Sequence, residues 1–280
     1  MALDLVVVGH VTVDRTPHGL RPGGALYAVS TARRLGLGVG LLTSFGPDFP
    51  EDQLPAGVEV ATVASSLTTV FELDDTPDGR RLRLVSRAAD LEAGDLPAAW
   101  RHAPLALLCP VAAEVDPGLA ESFPDASLGV TPQGWMRERQ AGGLIAPRPW
   151  EDADVVLAHA QMVVASEEDV APFREDTIEC FQRVPLAALT AGARGATLFV
   201  NGEPYHVAPD PAAEVDPTGA GDVFAAALLV SYYRGGEPWE AADAAACAAA
   251  ASVGAVGVDG IPDAAALAAR IKRYRARRGG

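Results

Sequence analysis

The stretch EVDPTGAGDVFAAALLVSYYRGG, from Glu214 to Gly236, combines a turn, a glycine cluster and an apolar helical pattern. Asp216-Pro217 ends an extended segment, because proline fixes its own φ and pushes its predecessor out of the α region. From Asp222 onward, apolar residues recur at helical spacing until Gly235-Gly236 stops the helix. The stretch therefore predicts a helix N-terminus whose free N–H groups and positive dipole end form an anion site.

Asp222 lies in the first turn of this predicted helix, beside the anion site. A carboxylate at this place can be a capping residue and nothing more, since acidic groups stabilise helix N-termini. The alternative is a general base next to a phosphate site, because Gly219 and Gly221 let the backbone turn with its amides exposed. A base and such amides together meet the needs of phosphoryl transfer to a hydroxyl.

The composition predicts one large α/β domain covering residues 1–280. The chain is 49% hydrophobic and 21% charged, which is ample for a single core. No run approaches the roughly 20 apolar residues of a membrane span. The N-terminus lacks a basic start and carries Asp4 and Asp14, so it predicts a first β-strand and not a signal peptide. The formal charge of −15 argues against nucleic acid or an anionic membrane as a general partner.

The cysteines and the single lysine restrict which kinds of site this chain can contain. Cys109, Cys180 and Cys247 are widely spaced and odd in number, which favours core packing in a reducing cytoplasm over a disulfide framework or a metal site. Lys272 is the only lysine and lies in a polar terminal helix, so the glycine-flanked lysine of a Walker A loop is excluded. Backbone amides, arginine and metal would have to hold any nucleotide triphosphate.

Buried apolar strands alternate with helices along most of the chain, which predicts a largely parallel sheet covered on both faces. Two hairpins are predicted as antiparallel exceptions in this sheet. One turns at Asn201-Gly202, and the other covers residues 66–87 around a polar turn at 75–79. The alternating pattern of 66–87 implies one solvated face, so this hairpin is a candidate lid or dimerisation flap.

Other candidate residues each have a plain structural alternative. Asp14 follows the first strand, where open α/β sheets place ligands, but it could be a surface turn acid. Pro22-Gly23-Gly24 precedes a helix and permits either a close ligand approach or a tight turn. Arg137 could be a surface arginine or could reach a phosphate or substrate oxygen. The acidic turn Ser166–Asp169 either starts a helix or holds a hydrated Mg²⁺.

DPTGAGD at 216–222 resembles the C-terminal signature of the PfkB/ribokinase carbohydrate kinases, and the similarity continues into the following helix. Three further segments agree in order. GHVTVD (9–14) is similar to the family's first strand with its substrate-binding acid, PGGALYAVSTARRLG (22–36) to its glycine signature and helix, and LTAGARGATLF (189–199) to its nucleotide-contacting turn. The hairpin 66–87 lies where the family carries its lid. The resemblance implies a ribokinase-like three-layer α/β/α sandwich with a small β-hairpin lid.

The resemblance also implies roles for individual residues. Asp222 would be the base that deprotonates the acceptor hydroxyl. The anion-hole amides would come from Gly219, Ala220 and Gly221. The substrate side would be lined by Asp14, Gly23, Gly24, Tyr27 and Arg137. The nucleotide would be bordered by Thr190, Gly192 and Gly195, and Asp169 would serve the metal.

The chain departs from the family pattern at two positions. The asparagine that usually follows the paired glycines is replaced by Tyr27 or Ala28, depending on the alignment, and the usual Asn-x-x-Glu is Ser166-x-x-Asp169. The missing asparagine, GHVTVD, and TPQGWMR followed by Pro-Trp-Glu together resemble the inositol-kinase-like branch.

We therefore expect a cytoplasmic, ATP- and Mg²⁺-dependent kinase acting on a hydroxyl of a small sugar or polyol, with a cyclic polyol such as myo-inositol as the leading acceptor. Monomer and homodimer both remain open. A catalytically silent sugar- or nucleotide-binding sensor is one alternative, motivated by the changes at Tyr27 and Ser166, although the intact GAGD argues against it. A nucleoside kinase is another.

Overall fold

A computed structural model of the protein describes residues 3–17, 19–76 and 79–278. Its helices are α1 (Ala25–Arg34), α2 (Ala153–Leu157), α3 (Glu167–Val170), α4 (Arg174–Phe181), α5 (Ala220–Gly235), α6 (Pro238–Ser252) and α7 (Ala264–Arg278). Its strands are β1 (Leu5–Val8), β2 (Val11–Thr16), β3 (Gly19–Gly24), β4 (Val39–Phe45), β5 (Glu59–Ala64), β6 (Thr69–Thr76), β7 (Gly79–Ser86), β8 (Leu105–Leu108), β9 (Ser127–Val130), β10 (Arg137–Arg139), β11 (Ile145–Pro147), β12 (Met162–Ser166), β13 (Leu186–Thr190), β14 (Ala196–Val200) and β15 (Glu203–Val207).

Within these described residues, nine strands form the main sheet in the order β15-β14-β13-β12-β9-β8-β1-β4-β5. The strands from β13 to β5 pair in parallel, which confirms the predicted parallel sheet. The predicted hairpin at Asn201-Gly202 is confirmed as β14–β15. Both turn residues have positive φ, 49° and 83°, as a tight two-residue hairpin requires.

Helices cover both faces of this sheet, as predicted. Successive strand residues point to opposite faces, so Val7 and Leu107 join one buried cluster while Val8 and Leu108 join the other. The first cluster contains α1, α5, α6 and α7, and the second contains α2 and Trp100. The chain thus has the predicted three-layer α/β/α architecture.

A separate four-stranded sheet, which we call the lid sheet, is built from β3-β2-β6-β7 among the described residues. The predicted hairpin 66–87 is present as β6–β7, with Pro77 and Asp78 of its turn outside the described residues. The surface-turn alternative for Asp14 is excluded, because Asp14 lies within β2, and Gly23-Gly24 ends β3 directly before α1, as the predicted helix entry requires. One expectation was wrong here, since the hairpin does not belong to the main sheet. The physical reason is that β2 pairs with β6, more than fifty residues away, which no local pattern reveals.

A second small hairpin, β10–β11, was missed from the sequence. Its strands are only three residues long, Arg-Glu-Arg and Ile-Ala-Pro, and Leu144 beside it bridges to Arg83 of β7. Cys109 and Cys247 are buried and unpaired, as the core-packing prediction requires, and Cys180 is half-buried. No helix in the described part of the chain combines the length and the apolar character needed to cross a bilayer.

Candidate active site

The carboxyl ends of the parallel strands meet at one edge of the main sheet, where open α/β sheets bind ligands. The segments that leave β1, β8, β9, β12 and β13 begin at this edge. They contain the predicted residues Arg137, Asp169 and Thr190. The lid sheet begins directly after β1, so it brings Asp14 to the same edge.

The predicted anion site falls at the N-terminus of α5. Gly219 is its N-cap residue, with φ 74°, and no side chain caps the helix. The amide of Ala220 donates to the Pro217 carbonyl at 3.3 Å. In the region that the structure describes, the amides of Gly221 and Asp222 donate to no backbone carbonyl. Two adjacent amides at a helix N-terminus can therefore serve an anion.

Asp216 fixes the loop that leads into α5. Its carboxylate accepts hydrogen bonds from the amides of Thr218 (3.0 Å) and Gly257 (3.1 Å) and lies 3.7 Å from Arg21 Nε. Burial alone would raise the pKa of Asp216, but these hydrogen bonds and Arg21 hold it below its usual value. The anion loop is thus tied to β3 and to the segment before α7.

Asp222 is half-buried at the start of α5. Burial among protein atoms raises the pKa of its carboxyl to about 7, Arg137 opposes that shift, and the negative charges of Asp169 and Asp14 add to it. The structure therefore brings these four predicted residues together. A carboxyl with a pKa near neutrality is suited to accept a proton from an alcohol.

Arg137 lies at the centre of this acidic group. Its Nη2 is 3.8 Å from Asp169 Oδ1, its Nη1 donates to the Val111 carbonyl at 3.1 Å, and its guanidinium carbon lies 5.7 Å from the centre of the Phe71 ring. Burial lowers the pKa of the guanidinium, while the surrounding carboxylates raise it, so the group keeps its charge. The surface-arginine alternative is excluded.

Asp169 crosslinks the turn after β12, where the Ser166 side chain caps α3. Its Oδ2 accepts hydrogen bonds from Gln133 Nε2 (2.8 Å) and Ser166 Oγ (2.6 Å). No group of three or more His, Cys, Asp or Glu residues in the described chain could hold a metal by itself. Mg²⁺ ions in kinases keep several waters and are bound through one or two carboxylates plus substrate phosphates. Asp169 fits the role of one such carboxylate.

Asp14 projects from β2 and is largely buried. Thr12 Oγ1 donates to its Oδ1 at 2.9 Å. A Cβ on Gly23 would lie 2.2 Å from Thr12 Oγ1, and a Cβ on Gly24 would lie 2.2 Å from the His10 carbonyl oxygen. Both glycines are therefore required by the packing of β2, whatever contact they make with a ligand.

Tyr27, in the first turn of α1, has a fully buried side chain. Among the described residues its hydroxyl finds no hydrogen-bond partner. Burial, together with the charges of Asp216, Asp14 and Asp222, raises the pKa of this hydroxyl, so it stays protonated. The group is therefore a hydrogen-bond donor that the described protein atoms leave unused.

The predicted nucleotide turn follows β13, further along the same edge. Thr190 Oγ1 donates to the Ala165 carbonyl at 3.4 Å. Gly195 has φ 89°, and a Cβ added to it would lie 2.2 Å from the Val207 carbonyl oxygen. Gly192, at φ 55°, faces open space. Arg194 pairs with Glu167 of the neighbouring turn.

Sequence reasoning missed several residues that shape this site. Gln133 donates a hydrogen bond to Asp169, and the ring of Phe71 faces Arg137. Glu114 accepts from the amides of His10 and Val111, and the Val111 carbonyl accepts from Arg137. Gln133 is part of TPQGWMR, and His10 is part of GHVTVD, so both motifs were identified without a role for these side chains. Phe71 and Glu114 had no sequence signal.

Comparison with known proteins identifies relatives of this chain. Residues 143–264 match the model of the pfkB family carbohydrate kinases. Fructokinase of Escherichia coli is 27% identical over 268 residues, covering 82% of this chain and 84% of that protein. Cytidine kinase of Thermococcus kodakarensis is 27% identical over 257 residues, covering 83% and 90%. Inositol 3-kinase of Zea mays is 31% identical over 215 residues, covering 72% of this chain and 55% of the maize protein.

Solved structures share the fold. A pyrophosphate-dependent kinase of the ribokinase family, complexed with a pyrophosphate analogue and myo-inositol, has a TM-score of 0.77 at 21% identity over 90% of this chain and 96% of its own. Ribokinase of Arabidopsis thaliana, complexed with ribose and ATP, has a TM-score of 0.70 at 20% identity over 97% and 99%. Together with the GAGD helix and the acidic edge around it, these relationships show that the chain belongs to the PfkB family of carbohydrate kinases, with the ribokinase fold.

Proposed function

We propose that this kinase transfers the γ-phosphoryl group of ATP to a hydroxyl of a small sugar or cyclic polyol, with myo-inositol as the favoured acceptor. The observation that carries the proposal is the position of Asp222, whose carboxyl has a pKa near 7. It lies at a helix N-terminus where the amides of Gly221 and Asp222 donate to no backbone carbonyl of the described residues. A proton acceptor and an anion site at the same place fit phosphoryl transfer to an alcohol better than simple capping.

In the proposed reaction Asp222 accepts the proton of the acceptor hydroxyl. The resulting oxygen attacks the γ-phosphorus in line, a new P–O bond forms, and the bond to the β-phosphate oxygen breaks to release ADP. The amides of Gly219, Ala220 and Gly221 stabilise the developing negative charge. Among the described residues the Ala220 amide donates to the Pro217 carbonyl at 3.3 Å, whereas the Gly221 amide donates to no backbone carbonyl. The guanidinium of Arg137 supports the same charge or an oxygen of the acceptor.

The acceptor is held on the side of the lid sheet. We assign its contacts to Asp14, Gly23, Gly24, Tyr27 and Arg137. A carboxylate, a tyrosine hydroxyl and a guanidinium offer both hydrogen-bond acceptors and donors, which suits a ligand rich in hydroxyls. Relatives that act on inositol include the maize protein, and the neighbour crystallised with myo-inositol has the same fold.

The donor lies along the neighbouring turns, bordered by Thr190, Gly192 and Gly195. Asp169 would hold a hydrated Mg²⁺ through water. When bound, that ion would neutralise charge on the donor phosphates. The cytoplasm is the expected compartment, since it supplies ATP and keeps the three cysteines reduced.

A substrate panel tests the acceptor and the donor. Purified protein with Mg²⁺ is given ATP or pyrophosphate as donor, and myo-inositol, fructose, ribose or cytidine as acceptor, and the phosphorylated product is measured. Turnover of myo-inositol with ATP is expected. Preference for cytidine would favour a nucleoside kinase, as the Thermococcus relative suggests. Tight binding without any turnover would favour a sensor, and turnover with pyrophosphate alone would overturn ATP as donor.

Asp222→Asn tests the mechanism separately. The variant keeps the size of the side chain but cannot accept the proton, so kcat should fall at least about a hundredfold, the lower end of what a positioned base contributes. Nucleotide binding, measured by calorimetry, should persist. Unchanged turnover in this variant would contradict the assignment of Asp222 as the base.

A further inference from the structure

His10 is the residue through which the chain passes from the main sheet into the lid sheet. It lies between β1 and β2, is fully buried, and uses every polar atom. Its amide donates to Glu114 Oε1 at 3.0 Å, and its carbonyl accepts from the Ala25 amide at 3.0 Å. Its ring contacts Thr69 Oγ1 (Nδ1, 2.7 Å) and the Ala89 carbonyl (Nε2, 2.8 Å).

Both ends of the β6–β7 hairpin are thereby attached to one imidazole. Thr69 is the first residue of β6, and Ala88 and Ala89 follow β7. The Ala89 carbonyl can only accept, so Nε2 carries the proton and Nδ1 accepts from the Thr69 hydroxyl. The same hydroxyl oxygen accepts from the Ala88 amide at 2.9 Å, which completes the chain of donors and acceptors.

Glu114 holds His10 from the other side. This buried carboxylate accepts from the amides of His10 (3.0 Å), Val111 (3.0 Å) and Ala112 (2.7 Å). The carbonyl of Val111 in turn accepts from Arg137. The lid hairpin, the end of β1 and the Arg137 guanidinium are therefore linked by consecutive hydrogen bonds.

Through the strand register, the attachment of Thr69 to His10 also fixes residues on the acceptor side of the site. On the lid sheet Thr12 is opposite Thr69, and two residues further Asp14 is opposite Phe71. Phe71 is the residue whose ring faces Arg137. A shift of Thr69 relative to His10 would move Phe71 and change where Asp14 and Arg137 meet a ligand.

We infer that His10, acting through Thr69, is a positioning residue for acceptor binding: it fixes the base of the lid hairpin so that Asp14, Phe71 and Arg137 are held in register over Asp222. The kinetic part of this inference rests on the proposed kinase function. A histidine that merely fills the core would affect stability alone, whereas the positioning role predicts a selective effect on the acceptor.

Thr69→Val removes the hydroxyl while keeping the shape of the side chain, and Thr69→Ser keeps the hydroxyl. Thr69→Val loses the hydrogen bonds of this hydroxyl to His10 Nδ1 and from the Ala88 amide, so we expect the KM for the acceptor identified by the panel to rise at least about tenfold. The KM for the donor should change less than about twofold. Thr69→Ser should restore the acceptor KM. Ser86→Ala is a matched control, since its hydroxyl bonds the Thr68 carbonyl (2.7 Å) at the same end of the hairpin without touching His10.

Hydrogen exchange supplies a readout that needs no substrate. Amides of β6 and β7 should exchange about tenfold faster in Thr69→Val, with β1 and β8 unchanged. Hydrogen exchange tests the attachment of the hairpin to His10 even if the wild-type protein turns over no acceptor. The absence of turnover would contradict the proposed function and not this attachment. Unchanged exchange in the hairpin, or acceptor and donor KM rising together, would overturn the inference.

If Thr69→Val does not fold, His10→Asn takes its place. The asparagine amide can still accept from Thr69 but cannot reach Ala89, so acceptor KM and hairpin exchange should change in the same direction by a smaller factor. A folded His10→Asn protein with neither change would overturn the inference.

Discussion

Gly219 lies directly against the ring of Tyr27: a Cβ added at Gly219 would come within 2.2 Å of the Tyr27 Cγ atom. The same glycine has φ 74°, a conformation that L side chains rarely adopt. Helix α1 and the loop that leads into α5 are therefore in direct contact. Only glycine permits that contact.

Gly219 and Gly221 should respond oppositely to alanine. Gly219→Ala should lower the free energy of unfolding by about 2 kcal/mol or more, because of the positive φ and the clash with Tyr27.

In Gly221→Ala the added Cβ meets no atom within 4 Å, and the residue lies inside α5, so the Tm of the variant should be equal or higher. Its methyl group would project into open space in the first turn of α5, beside the amides of the proposed anion site. We expect normal thermal melting with at least a tenfold loss of kcat/KM; full activity would show that no phosphoryl oxygen approaches there.

Tyr27→Phe removes a hydroxyl that has no hydrogen-bond partner among the described residues. The fold should lose nothing, so Tm should be unchanged or slightly higher. If this hydroxyl donates to the acceptor, the acceptor KM should rise about three- to tenfold.

Tyr274→Phe is the matched control for that prediction, since the Tyr274 hydroxyl donates to the Ala208 carbonyl at 2.8 Å. It should lower Tm and leave the kinetics unchanged. Equal acceptor KM in Tyr27→Phe and wild type would remove Tyr27 from the acceptor site.

The carboxyl of Asp222 should make stability depend on pH. Its pKa is about 7 in the folded protein and about 4 in an unfolded chain. The folded state therefore binds more protons between these values, and its stability falls as pH rises from 4 to 7. Asp222→Asn should be neutral below about pH 4 and stabilising above pH 7, by on the order of 2 kcal/mol, because half-burial reduces the full effect.

Thermal melts from pH 4 to 8 measure this difference, with Asp74→Asn on the exposed side of β6 as control. In the wild-type enzyme, kcat/KM should rise as pH passes 7 and then level, since only the ionised carboxyl accepts a proton. A stabilisation that does not grow with pH would contradict the raised pKa of Asp222.

The lid can be tested by deletion. Removing residues 72–84 and bridging the gap leaves the main sheet and Asp222 intact, but the cleft can no longer exclude water. The acceptor KM should rise several-fold and ATP hydrolysis without acceptor should increase, measured as ADP release. Neither change, in a protein with normal secondary structure by circular dichroism, would mean that the hairpin serves another purpose.

The sequence by itself determined the features that depend on neighbouring residues. The helix start at Gly219–Asp222, the Asn201-Gly202 hairpin and the alternation of strands with helices follow from φ preferences and hydrophobic spacing, and all are present in the structure. The exclusion of a Walker lysine also needed only composition, and Lys272 lies exposed on α7.

Only the tertiary structure decided how distant segments meet. The pairing of β2 with β6, the ring of Phe71 over Arg137, and the contact of Tyr27 with Gly219 join residues far apart in the chain. The pKa of Asp222 depends on burial and on charges supplied from three other segments. A stretch such as DPTGAGD fixes backbone shape because its preferences are local, but the electrostatics of its carboxylate arise when the folded chain removes water and brings Asp14, Arg137 and Asp169 beside it.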